Sequence, residues 1–492
     1  MNRYFSIFAL LALSLVANLK AADPDTRLFE NSVVSIEVSR RVYDYIQPWS
    51  RRVDQINKFG AIIGKNEILT TADHLGNASL VRVQKHGRGK WWKGEIKWVD
   101  YHANLALLGV SEEEFWEKTQ SLKLIDKTPT RGPVYMVRWL NGLLEVRNED
   151  INRMRVKPSK LSFLEYAQLE VESEISGTGW AEVIIRDNKI VGLTASKEEQ
   201  SLTVIPASFI RQALDARKSG TNAGFGYFAF VWTPGENPAT LRHLGLKGDP
   251  RGVVVLEVPP VEQTNSVRAK DIVLEVDGFE IDIQGDYIDP EFGALSLENL
   301  STRKHKAGDV VKIKVLREGK EQTVEYKLPK ADYDVDLVPS ELFDQEPEYV
   351  MMGGFLFVPL TEPFLKSWGG DFRRRAPFRL SYFTREKAMP GRKSLVVMSA
   401  VLPDPFNIGY QDLRYLVVEQ LNGKTVRTLA DLVEAQNAAK DGVHVLEFRK
   451  GESVHRVVLD AGQTQEATAR TMEKYGLVSA QHISTAPKTA TP

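Results

Sequence analysis

The sequence predicts a mainly β protein, and three observations carry that prediction. Between Thr26 and Pro206, short apolar runs alternate with turn residues, the pattern of many short strands in a barrel or sandwich. Beyond residue 224, four strand-like segments appear twice in the same order. The chain has 492 residues, which at roughly 150 per domain allows about three domains.

The apolar fraction of 42% suits packed cores, and the net charge of −1 gives no basic field for nucleic acid. Cysteine is absent, which excludes disulfides, a thiol nucleophile and thiolate metal sites. The eight histidines are scattered without metal spacing, so neither metal nor cofactor is expected. Glu112-Glu113-Glu114 reads as a solvated helix start, and Arg373-Arg374-Arg375 as a surface run.

In chain order, residues 1–22 read as a signal peptide: Arg3, then the apolar stretch Phe5 to Ala17, then Ala21 and Ala22. An uncleaved N-terminal anchor is the alternative; no other stretch approaches a membrane span, and the expected location is periplasmic or secreted. Residues 26–217 form the β-rich unit. Its strands include 32–38, 59–63, 67–71, 80–83, 94–99, 105–110, 133–139 and 182–185, and it closes with an amphipathic helix over 207–217. A Gly/Ser/Asn linker follows at 218–224. The repeated unit then occupies 224–330 and 345–465, and a partly disordered tail follows at 466–492. Each copy carries an Asp-Gly or Asn-Gly hairpin signal (Asp277-Gly278, Asn422-Gly423) and ends in strand–turn–strand with Gly in the turn.

The stretch 59–110 organises the first unit. His74 follows Glu67-Ile-Leu-Thr-Thr-Ala-Asp73, and Asn104 precedes Leu105-Ala-Leu-Leu108. This frame resembles the HtrA/Deg family of trypsin-like serine proteases, in which a histidine base follows "ILT" and an aspartate precedes the apolar run. Ser111-Glu-Glu-Glu-Phe-Trp-Glu117, Val315-Leu-Arg-Glu-Gly-Lys-Glu321 and Gly354-Phe-Leu-Phe-Val-Pro-Leu-Thr-Glu-Pro-Phe-Leu365 extend the resemblance from about residue 30 to 480, most of all to plant-type members with a second, divergent PDZ domain. The resemblance implies a trypsin-like double β-barrel followed by two PDZ-like α+β domains, and homo-oligomers built by the barrel domains. Peptides or unfolded protein segments are the implied partners.

Hydrolysis by such a site needs a hydroxyl, a histidine base, an orienting carboxylate and an oxyanion hole of backbone N–H groups. On the resemblance His74 takes the base position, but Asn104 stands in place of the acid. Asp73 immediately precedes His74, and adjacent side chains are expected to diverge. Counting back from the hairpin Ile184 to Gly192 places Gly179 at the nucleophile position and Gly177 at the first oxyanion glycine. Trp180 then replaces a glycine and Glu182 a proline. A register slip of one would make Thr178 the hydroxyl, with Ser176 further off.

The degenerate triad reads as a pseudoprotease that binds peptides or protein C-termini, with a scaffold, chaperone-like or regulatory role in protein quality control. The alternatives are an active serine endopeptidase with an atypical site, and a structural oligomer whose own chain fills the PDZ grooves. By the same resemblance Gly226, Tyr227, Phe228, Ala229 and Phe230 occupy the carboxylate-binding loop of the first PDZ unit, with Leu297 and Leu300 on one face of a helix toward the groove. A plain core role is the other reading of Tyr227, Phe228, Leu297 and Leu300.

Overall fold

The computed structural model describes residues 24–218, 224–259 and 267–484. The expected signal peptide, 1–22, lies outside the described residues. Two six-stranded closed barrels open the fold. The first holds β1 (Val33–Tyr43), β2 (Arg51–Gly64), β3 (Glu67–Thr70), β4 (Ala78–Lys85), β5 (Trp92–Asp100) and β6 (Leu105–Val110), in the order β1-β2-β3-β6-β5-β4. The second holds β7 (Gly132–Leu140), β8 (Leu143–Pro158), β9 (Glu165–Glu172), β10 (Val183–Arg186), β11 (Lys189–Glu198) and β12 (Ser201–Pro206), in the order β10-β11-β12-β9-β8-β7. The helix Ala207–Lys218 packs Phe209, Ile210 and Ala213 against the core between the barrels. Tyr166 and Phe209 stack there at 3.7 Å.

Alternation explains how the barrels close. Along β2 the face carrying Lys58, Gly60 and Ile62 turns inward, and Gly60 is required there. A Cβ would meet Ile36 Cδ1 and the Leu69 carbonyl oxygen at 2.9 Å.

The first α+β unit has a sheet in the order β13-β14-β15-β19-β20, built from β13 (Val231–Pro234), β14 (Val253–Glu257), β15 (Ile272–Val276), β19 (Val310–Arg317) and β20 (Lys320–Lys327). The short strand β16 (Phe279–Glu280) pairs with β15, and β17 (Asp286–Asp289) pairs with β18 (Gly293–Ser296). Among the described residues, strand β13 pairs only with β14, and its outer edge meets no strand.

The second unit has the order β27-β26-β24-β23-β22-β21-β28. Its strands are β21 (Tyr349–Met352), β22 (Phe355–Pro359), β23 (Val396–Val401), β24 (Leu416–Leu421), β25 (Lys424–Thr425) paired to β24, β26 (Val443–Phe448), β27 (Arg456–Asp460) and β28 (Gln481–His482). The expected tail from 466 is corrected: a helix runs over Thr464–Tyr475, and the next segment returns as β28 to pair with β21. The helix buries Ala467 and Thr471, which ties that stretch to the domain.

Candidate functional site

The loop after β3 carries Asp73 and His74, and the turn before β6 carries Asn104. Both His74 (φ 64°) and Asn104 (φ 54°) adopt left-handed backbone. The expected divergence of Asp73 from His74 is corrected, because the left-handed residue breaks strand alternation and folds the two side chains together. His74 Nε2 lies 3.4 Å from Asp73 Oδ2. Asn104 does not orient the imidazole. Its Oδ1 instead accepts the Asp73 backbone N–H at 2.9 Å, and the buried His74 Nδ1 and Asn104 Nδ2 have no hydrogen-bond partner among the described residues. The presumed base and its presumed orienting group are therefore one residue out of register.

Cations crowd the same corner. Lys160 Nζ is 2.6 Å from Asp73 Oδ2. Lys58, fully buried, donates to the Thr71 carbonyl at 2.7 Å, the Thr71 hydroxyl at 2.8 Å and the Asp73 carbonyl at 2.7 Å. Burial pushes the Lys58 ammonium down to about 7 against the pull of Asp73. It also pushes His74 down to about 4, with Arg40, Lys58 and Lys160 reinforcing it and Asp73 opposing. Burial alone would raise Asp73, but His74, Lys160 and Lys58 hold its carboxyl below the usual range.

Sequence reasoning passed over Lys58. The signal was available: period-two alternation puts it on the inward face with Gly60 and Ile62.

The loop expected to carry the nucleophile closes on itself. Glu182, wholly buried, places Oε2 3.0 Å from the Gly179 N–H and 2.9 Å from the Trp180 N–H, and takes the Thr194 hydroxyl as well. Arg138 lies 3.7 Å from the other carboxylate oxygen and donates to the Gly177 carbonyl at 2.8 Å. An internal carboxylate thus takes the Gly179 N–H, the donor that an oxyanion would need at the expected nucleophile position. The Gly177 N–H is engaged by no acceptor among the described residues.

Gly179 (φ 95°) brings no hydroxyl, and the Thr178 hydroxyl donates to the Ile175 carbonyl at 3.1 Å. Ser176 makes no hydrogen bond to His74 among the described residues. The Trp180 indole stacks on the His74 imidazole at 5.1 Å, with Lys160 over its ring at 5.6 Å.

A segment between the two α+β units straps over these loops. Phe343 stacks on Tyr101 at 3.9 Å and presses on Gly76. Asp344 accepts the Asn77 N–H at 2.8 Å and the Tyr101 hydroxyl at 2.5 Å. Tyr333 stacks on His102 at 4.2 Å. Residues just after His74 and just before Asn104 are therefore clamped from outside.

In the first α+β unit, part of the expected carboxylate loop is already spent. The Tyr227 N–H donates to the Pro329 carbonyl at 3.3 Å and the Ala229 N–H to the Tyr326 hydroxyl at 2.9 Å. Gly226 lies beside Lys330 in an isolated bridge. Phe230 is buried against Tyr326, and Phe228 is half-buried beside both rings. The groove role of Leu297 and Leu300 is corrected: at 0% and 3% exposure both are core. The helical turn over 297–303 is short and is drawn onto the second barrel, where Asn299 Oδ1 accepts the Ala167 N–H of β9 at 2.9 Å. In the second unit, β21 and β28 of the same chain cover the side of β22 away from β23.

Residues 338–483 match the family model described as PDZ domain. Protease Do-like 4, mitochondrial, from Arabidopsis thaliana is 25% identical, over 92% of this chain and 84% of that protein. Protease Do-like 2, chloroplastic, of the same plant is 24% identical, over 92% of this chain and 74% of its own. Among solved structures, HtrA-type protease AlgWS227A with decapeptide aligns over 62% of this chain and 96% of that one, at 14% identity and TM-score 0.49. Among the described residues no helix is long and apolar enough to cross a membrane. By its two closed six-stranded barrels, its two α+β units, the PDZ match over 338–483 and these near full-length similarities, the chain is similar to the Do-like, HtrA/Deg-type serine proteases that carry PDZ domains.

Proposed function

We propose that this chain is a non-catalytic HtrA/Deg homologue that holds peptide or unfolded protein segments, with a scaffold or regulatory role in protein quality control. One observation carries the reading: the Glu182 carboxylate receives both the Gly179 and Trp180 N–H groups, beside a nucleophile position with no side chain. An acyl-transfer site needs the N–H of its nucleophile residue free and a hydroxyl within reach of an imidazole whose other nitrogen is held. His74 Nδ1 has no hydrogen-bond partner among the described residues.

Peptide capture is assigned to the first PDZ unit, where the unpaired edge of β13 supports strand addition. The second unit is assigned a structural part, since its own chain covers β22. Homo-oligomers and an exported location complete the proposal; the basic-then-apolar opening, Arg3 and then Phe5 to Ala17, supports the location.

The test uses full-length protein purified free of host proteases. Fluorophosphonate labelling and casein cleavage are both expected at background, while a C-terminal peptide library yields binders that a proline within the strand-forming residues abolishes. Casein cleavage that disappears in His74→Ala would overturn the reading in favour of an atypical endopeptidase.

A further inference from the structure

The second α+β unit carries a pocket far in sequence from every site residue above. An open cavity of about 320 Å³ lies between the helical turns over 378–385 and the turn that joins β26 to β27. Its walls are aromatic. Phe378 is 76% exposed and Tyr382 49% exposed, 5.9 Å apart, and Phe383 forms the buried base. Apolar rings left this open within one concavity are unusual unless something covers them.

The rim is cationic. It carries Arg379, Arg449 and Lys450, with Glu452 as the one carboxylate in the lining. Arg379 is paired with Glu452 at 3.1 Å. Arg449 and Lys450, on the joining turn, have no carboxylate partner among the described residues. Arg449 is instead held over the Phe383 ring at 4.7 Å, which fixes its guanidinium at the pocket mouth.

The turn adds backbone donors. The Arg449 and Glu452 N–H groups bond within the unit, whereas those of Lys450 and Gly451 meet no acceptor among the described residues. Gly451 takes φ 94°, and nothing lies within 4 Å of where its Cβ would be. Two unpaired cations and two open N–H groups therefore face one side of an aromatic trough.

We propose that this pocket binds an acidic peptide segment of a partner protein. An aromatic side chain enters the Phe378–Tyr382–Phe383 trough, and flanking carboxylates pair with Arg449 and Lys450. Charge complementarity selects the class: planar guanidinium matches carboxylate in bidentate fashion. The buried Glu452 carboxylate in the wall disfavours a polyphosphate backbone, and the concavity favours an inserted side chain over a flat bilayer.

The experiment titrates full-length protein into a fluorescein-labelled Gly-Glu-Glu-Phe-Glu-Glu-Gly amide, whose blocked end removes any contribution from a terminal carboxylate. Saturable binding is expected. It should weaken at least tenfold in Phe378→Ala, in the Arg449→Glu, Lys450→Glu double variant, and when the peptide Phe is replaced by Ala, and should fall steeply between 50 and 300 mM salt. Both protein changes lie on the pocket wall, and unchanged melting curves confirm the fold. The proposal is overturned if the alanine peptide binds equally well or if the variants bind as wild type. It is also overturned if only phosphatidylserine vesicles or a single-stranded oligonucleotide bind, or if Phe378→Ala changes the oligomeric state and thereby shows that a second copy covers the pocket.

Discussion

Replacing Gly179 by serine would return a hydroxyl to the position proposed for the nucleophile, with consequences set by its surroundings. The backbone there has φ 95°, a region that costs a residue with a side chain about 1–3 kcal/mol. The new Cβ would sit 2.9 Å from the Lys197 nitrogen, 3.0 Å from the Ser196 carbonyl carbon and 3.1 Å from the Ser196 Cα. All three are backbone atoms of β11, so no side chain can swing aside, and overpacking of this kind adds about 1–3 kcal/mol. The sum is about 2–6 kcal/mol, and at about 2–4 °C per kcal/mol for a domain of this size the melting temperature falls by roughly 5–20 °C. No activity compensates. The Gly179 N–H remains on Glu182, and Asn104 still faces the Asp73 N–H rather than the imidazole. Adding Asn104→Asp sets a second carboxylate near Asp73, which disfavours ionising both. Differential scanning fluorimetry and fluorophosphonate labelling of Gly179→Ser are the assays, with an early unfolding transition and background labelling expected. A variant that melts like wild type and labels stoichiometrically would refute the steric argument and the functional one together.

Three further outcomes are expected. Lys58→Met leaves the Thr71 and Asp73 carbonyls without their buried donor, so urea unfolding should show a loss of about 2–5 kcal/mol. His74 and His102, both driven down to about 4 by burial, bind a proton near pH 6.5 when unfolded and only near 4 when folded. The unfolded chain thus holds more protons between those values; stability should climb from pH 4 to 6.5, by up to about 1.4 kcal/mol per pH unit for each ring, and replacing His102 by Phe should flatten the slope. Phe343→Ala removes the stack on Tyr101 and should cost about 1–3 kcal/mol, with faster hydrogen exchange confined to residues 74–77 and 101–104 if the strap holds those loops.

The barrels were legible because their strands are apolar runs with clear turns, and the run Leu105–Val110 is bounded in the structure where the sequence bounds it. Strand β8, LLEVRNEDINRMRVKP, was harder to see, since much of one face is charged and exposed and only Glu149, Ile151 and Met154 are buried. At the site, the family resemblance assigned His74 and Asn104 to the base and acid positions. It could not show that both residues take left-handed backbone, which shifts the pairing by one residue and brings Asp73 back onto the ring. Nor could linear spacing show that Glu182 folds back onto its own loop, or that the short turn at 297–303 spends its leucines on the core, because both depend on contacts distant in sequence.

The strap over 332–346 makes the boundary between the two α+β units misleading as a place to cut. A fragment ending near residue 330 would keep every strand of both barrels, yet would expose Tyr101, His102 and Gly76, which Phe343 and Tyr333 now cover, and would leave the Asn77 N–H without Asp344. Loss of solubility or of binding in such a fragment would report this uncovered patch and not the missing domain. Dissection of the protein by parts should therefore retain residues to about 348, where Glu346 also meets Arg41 and Arg51 at 3.2 and 3.4 Å.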